Sequence, residues 1–139
     1  KAINPDIKIT TFSHFGENSK LNSSILLDGT DNIKSKLVMA QMARKKKIPY
    51  VFCSALATKG MVTIFTNYKF ELAFQLPKDL ELKHYQSCSS ILCPAVSLAA
   101  SLAVSQAISF LLKKPFVTAP DAMFFDLDKK DVFWRAKLG

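Results

Sequence analysis

The order of apolar and polar positions predicts strands and helices in alternation. Asp6 to Phe12 sets Ile7, Ile9 and Thr11 against polar neighbours, the period-two pattern of a half-buried strand. Ser13 to Asn22 is polar, contains Gly16 and reads as a loop. Ile25, Leu26 and Leu27 form a short apolar run ending at Asp28, which suits a central parallel strand. Gly29, Thr30, Asp31 and Asn32 then supply turn and amino-cap chemistry. A helix should follow, with Ile33, Leu37 and Ala40 on one face and the cations Arg44 to Lys47 closing its end before Pro49. Tyr50 to Ser54 is a second short apolar strand. Strand, capped helix and strand in that order make a right-handed crossover between parallel strands.

Beyond Gly60 the pattern changes. Met61 to Thr66 and Phe70 to Gln75 are two β-rich runs separated by Asn67-Tyr68-Lys69, which predicts a hairpin. Pro77 to Gln86 is a polar surface connection. A long helix rich in Ala and Ser runs from Pro94 to Lys113-Lys114-Pro115. Two closing strands, Met123 to Leu127 and Val132 to Leu138, flank the turn Asp128-Lys129-Lys130-Asp131. The uncharged stretch Ile91 to Leu112 has the length of a membrane span. Ser97, Ser101, Ser105 and Ser109 at helical spacing, together with Gln106, favour a buried helix in close contact with a sheet or another helix; a partner-binding helix is the third reading. The expectation is one α/β domain over residues 1–139, with parallel strands, antiparallel strands and a long buried helix.

Composition narrows the function. The apolar fraction of 49% supports a packed core and argues against disorder. A net charge of +8, much of it between Lys34 and Lys47, suits nucleotide phosphate, an acidic protein, anionic lipid or nucleic acid, or simply a solvated helix end. Only Phe133-Trp134-Arg135 interleaves aromatic and basic residues, so no nucleic-acid partner is expected. No membrane partner is expected either. Cys53, Cys88 and Cys93 form no C-x-x-C pair, so a zinc ribbon is unsupported and free thiols in a reducing, cytoplasmic setting are the simplest reading. Cys53 and Cys93 read as core thiols. A start at Lys1 without methionine points to a piece of a longer polypeptide or a processed product.

The chemistry concentrates in Leu27-Asp28-Gly29-Thr30-Asp31-Asn32. Open α/β sheets bind ligands at the carboxyl ends of their strands. Two carboxylates beside a helix amino terminus fit a Mg²⁺ ion carrying a triphosphate, which takes one or two carboxylates. Asp31 is the better metal ligand and Asp28 the holder of the turn. The competing reading is that Asp31 simply caps the helix.

The block LLDGTDNIKSKLVMAQMARKKKIPYVFCSALATKGMVTIFT resembles the second half of the ThiF/MoeB/HesA family, relatives of the ubiquitin-activating enzymes. The resemblance is carried by Asp28, Thr30, Asp31, Asn32, Pro49, Ser54, Ala55, Gly60 and Val62. Flanking similarities are Asn4-Pro5-Asp6-Ile7, the Pro94–Leu112 helix and FFDLDKKDVFWRAKL. It implies the carboxyl-terminal half of a Rossmann-like adenylation fold. The implied activity is ATP-dependent adenylation of the carboxyl terminus of a ubiquitin-like or sulfur-carrier protein, in a dimer. The resemblance makes Asp31 the Mg²⁺ ligand and a catalytic residue; Asp28, Asn32 and Lys36 join it at the nucleotide. Cys88 is a candidate transfer cysteine, placed before the long helix, with His84 four residues earlier.

The departures are as informative. Only four glycines are present and none makes a Gly-x-Gly-x-x-Gly loop. Lys36 stands for the family's Arg, Ala40 for an Asn and Gln106 for a Glu, and the zinc cysteines are absent. The nucleotide loop must then come from a missing amino-terminal half or a second subunit. The alternative function is a non-catalytic partner subunit of a heterodimeric activating enzyme, favoured by the short span from Phe65 to Cys88.

Overall fold

The computed structural model describes residues 4–13, 15, 19, 22–77 and 92–139. Its elements are β1 (Leu26–Leu27), α1 (Ile33–Lys46), β2 (Tyr50–Leu56), β3 (Lys59–Phe65), α2 (Phe70–Ala73), α3 (Cys93–Leu111), β4 (Asp121–Asp126) and β5 (Phe133–Lys137). The five strands form one sheet in sequence order, β1-β2-β3-β4-β5. Among the described strands only β1 and β2 pair in parallel, joined by the α1 crossover; the remaining strand pairs are antiparallel. The mixed sheet with helices on both faces is the α/β architecture expected from the sequence.

Side-chain alternation sorts the core into two layers. Tyr50 and Phe52 of β2 and Phe65 of β3 face α1 and α2, where they meet Met39, Ala40, Ala43, Phe70 and Ala73. Val51, Val62 and Ile64 face the other way, onto Ala103 and Ala107 of α3. Further along the same face, Ala95 and Ala99 receive Phe125 of β4. The stripe Ala95, Ala99, Ala103 and Ala107 is buried at four-residue spacing, so the backbone of α3 lies close to the sheet. Its serines lie elsewhere. Ser97, Ser101 and Ser105 are exposed, and so are Val96, Val104 and Ile108. The helix is thus buried along alanine alone, although it is long and apolar enough to cross a membrane.

Three local expectations give way to packing. Residues 8–12 form no strand and pair with no described strand, and Ile7, Ile9 and Phe12 are exposed. Phe70 to Ala73 is a helical turn rather than a strand, because Phe70 and Ala73 on one helical face both reach the aromatic layer. Phe70 and Phe74 meet with ring centroids 4.6 Å apart. The hairpin falls instead at Ala57-Thr58, and β2 and β3 run in register from Tyr50↔Phe65 to Leu56↔Lys59. Gly60 is required there: a Cβ would run into the Phe125 ring.

Candidate functional site

The carboxyl end of β1 delivers a five-residue loop, Asp28 to Asn32, to the amino terminus of α1. Strand pairing fixes the root of the loop, since Asp28 N–H donates to the Val51 carbonyl at 3.0 Å. Asn32 is the helix cap: its backbone is extended (φ −132°, ψ 147°) and its Oδ1 accepts from Ser35 N–H at 2.8 Å. The capping role considered for Asp31 is therefore filled by its neighbour. Asp31 is exposed, and Asn32 Nδ2 donates to its Oδ1 at 3.1 Å.

Asp28 is the opposite case. It is 5% exposed, and protein donors meet both its oxygens. Oδ1 accepts from Thr30 N–H at 2.8 Å and from the Thr30 hydroxyl at 2.7 Å. Oδ2 accepts from Lys36 Nζ at 2.7 Å and from the Tyr50 hydroxyl at 2.8 Å. Lys36 Nζ also donates to the Cys53 carbonyl at 2.9 Å and lies 5.1 Å from the centre of the Phe52 ring. Asp28 and Lys36 thus tie the loop, α1 and β2 together in a buried, hydrogen-bonded cluster. Burial, followed by the Asp28 charge and hydrogen bond, holds the Tyr50 hydroxyl protonated far above the usual phenol range. Burial also raises the Cys53 thiol, with Lys36 opposing and Asp28 reinforcing.

A cavity of about 260 Å³ opens beside this cluster, between the loop, the end of β2 and the outer flank of α3. Asp28, Asp31 and Lys36 reach it from the loop side, facing Val96 and Val104 of α3. Among the described residues no group of three or more His, Cys, Asp or Glu side chains converges. One exposed carboxylate at a helix amino terminus matches what Mg²⁺ requires when phosphate oxygens complete its shell. Asp31 fits that donor set; Asp28 faces its own protein donors.

The remaining sequence candidates are dispersed. Cys88 and His84 lie outside the described residues. Cys93 is exposed in the first turn of α3 and is not a core thiol; Cys53 is half-buried, and its Sγ donates to the Asp28 carbonyl at 3.2 Å. Ala40 is buried in the aromatic layer. Gln106 fixes the segment after α3 by accepting from Val117 N–H at 2.7 Å. Tyr50 is the participant the sequence reading passed over. Its signal was a hydroxyl at the head of an otherwise apolar strand, which must find a partner once buried.

The model of the ThiF family matches residues 1–138. No curated protein sequence matches the chain. Among solved structures, E. coli MccB with AMPCPP and MccA is similar at a TM-score of 0.61 and 14% identity, covering 84% of this chain and 37% of that one. E. coli MccB with ATP gives a TM-score of 0.60 at 13% identity, covering 84% and 36%. PaaA gives 0.53 at 18% identity, with the same coverage of 84% and 36%. This chain therefore spans little more than a third of the structures it matches, and at these identities the likeness establishes the fold.

Proposed function

The chain belongs to the ThiF family, and from that premise we propose that it forms part of an enzyme that adenylates the carboxyl terminus of a ubiquitin-like or sulfur-carrier protein. The observation that carries this reading is the release of Asp31. With Asn32 capping α1, the Asp31 carboxylate stands exposed at the helix amino terminus and at the cavity mouth. Asp31 would hold Mg²⁺, whose charge would offset that of the triphosphate. In the reaction a carboxylate oxygen of the partner's last residue attacks the α-phosphorus of ATP. The bond to pyrophosphate breaks and an acyl adenylate forms. On this reading Asp28 and Lys36 position the loop through their mutual bond rather than touching nucleotide. The solved relatives bound to ATP and AMPCPP support nucleotide as the class of ligand.

The rest of the nucleotide site is to be supplied from outside these residues, by an amino-terminal half or a second subunit of a cytoplasmic dimer. Two uncovered surfaces support that. Among the described strands β1 stands at an edge of the sheet with Leu27 exposed, and Val96, Val104 and Ile108 of α3 are exposed nearby. The ubiquitin-like partner is assigned to the far edge of the sheet. There Trp134 stacks on Phe124 (5.7 Å) above a hollow of about 190 Å³ that includes Leu56 and Met61. Exposed apolar area of this kind marks interaction surfaces.

A second reading is favoured by one observation: the sequence holds no Gly-x-Gly-x-x-Gly motif. The chain would then belong to a non-catalytic subunit that supports an active partner. ATP–pyrophosphate exchange separates the two, run on the complete protein with each ubiquitin-like protein of the same cell tested singly. Adenylation predicts that Asp31→Ala lowers exchange by about a hundredfold or more. Equal exchange in wild type and variant would remove Asp31 from the mechanism, and no exchange with any partner would favour the supporting subunit.

A further inference from the structure

A second cavity lies at the other end of the sheet from Asp31. α1 runs from Asn32 at the carboxyl end of β1 back to Lys47, just before β2 begins. The end of α1, the start of β2, the end of β3 and Phe110 near the end of α3 converge there on about 440 Å³ of open space. That volume falls in the usual range of small-ligand sites, roughly 300–1,000 Å³.

We propose that this cavity binds a small planar aromatic molecule bearing one oxyanion, such as an aryl phosphate or aryl carboxylate. Half-buried Tyr68 and Phe110 give the cavity aromatic walls, backed by the buried rings of Tyr50 and Phe65, which are stacked at 6.0 Å. Such a wall accepts the face or edge of a further ring. The rim is cationic, with Arg44 and Lys47 lining the opening and Asn67 beside them. Among the described residues Glu71 is the one acid in the lining. It meets Arg44 at 3.4 Å, with the arginine side chain half exposed, so the pair is weak and the guanidinium remains available. Lys47 has no ion-pair partner among the described residues.

The field around the rim has the same sign. Lys45 and Lys46 flank the two rim cations, and Lys113 and Lys114 follow Phe110. The carbonyl end of α1 opposes an anion with about half a charge. That end is already capped: Lys47 N–H reaches the Ala43 and Arg44 carbonyls, and Ile48 N–H reaches Ala43. Four consecutive cations outweigh it, so an oxyanion at this rim meets a net positive field.

Isothermal titration calorimetry on the complete protein tests the assignment, with phenyl phosphate and inorganic phosphate as probes. Phenyl phosphate should bind about tenfold tighter than phosphate, because the ring reaches the aromatic wall. Arg44→Gln/Lys47→Gln, confirmed as folded by circular dichroism, should weaken phenyl phosphate by about tenfold or more. Lys45→Gln/Lys46→Gln removes the same charge away from the cavity and should change affinity much less. Asp31→Ala should leave it unchanged. Equal affinity for the two probes would overturn the proposal, as would equal effects of the two double variants. Loss of binding in Asp31→Ala alone would place the ligand at the other end of the sheet and overturn it too.

Discussion

Replacing Lys36 by Met isolates the contribution of the buried ion pair. Lys36 Nζ and Asp28 Oδ2 are 2.7 Å apart, and their side chains are 9% and 0% exposed. Methionine fills nearly the same stem volume, so little of the effect comes from a void. What changes is charge: the Asp28 carboxylate stays buried without its cation, and the Cys53 carbonyl loses its Nζ donor. Breaking one side of a buried pair costs about 3–5 kcal/mol. Here Asp28 keeps three donors, two from Thr30 and one from Tyr50, which places the loss near the lower end, at about 3 kcal/mol. For a chain of this size that lowers the melting temperature by roughly 10 °C. The assay is thermal unfolding followed by circular dichroism, with Asp28→Asn/Lys36→Met as the second arm. Removing both charges should recover most of the loss, since no charge is left stranded. A Lys36→Met variant within about 0.5 kcal/mol of wild type would refute the reasoning, for it would mean that the pair is hydrated in solution.

Two further outcomes follow from the packing and the charges. Gly60→Ala drives a Cβ into the Phe125 ring, which is 1% exposed and wedged against Ala95 and Ala99; urea unfolding should show a loss of about 1–3 kcal/mol, partly restored by Phe125→Leu. At Asp126, burial pushes the carboxyl up. The Asp128 N–H, the Thr58 hydroxyl, Lys59 and Lys129 more than offset it and hold the group below its ordinary 3.8. A depressed carboxylate adds stability that is complete above the unfolded value and is lost as pH falls toward the folded one. Melting temperature between about pH 6 and pH 2 should therefore fall less steeply in Asp126→Asn than in wild type.

Much of this organisation was legible along the chain because it is local. The βαβ unit announced itself through a short apolar run, cap residues, a basic helix end and Pro49, each acting within a few residues of itself. The Ala/Ser helix and the closing hairpin were legible for the same reason. The 70–75 segment was not. Its apolar residues suit a strand or a helix equally, and the choice fell to an aromatic layer assembled from β2 and β3. The 6–12 segment has strand periodicity, yet a strand is defined by its neighbour, and none is described beside it.

The candidate site divides along the same line. From sequence came the Asp28–Asn32 loop, the polar types it carries and its place after a parallel strand. Which carboxylate is buried and which is exposed was settled only in three dimensions. Tyr50 is 22 residues from Asp28 and Lys36 is eight, and strand pairing with the α1 crossover brings both hydroxyl and ammonium onto one oxygen. Asn32 takes the cap because its backbone is the one that turns extended at the helix start. Residue type and spacing thus marked the loop, while the burial of Asp28 and the exposure of Asp31 depended on desolvation, which exists only once the chain has closed around one of them.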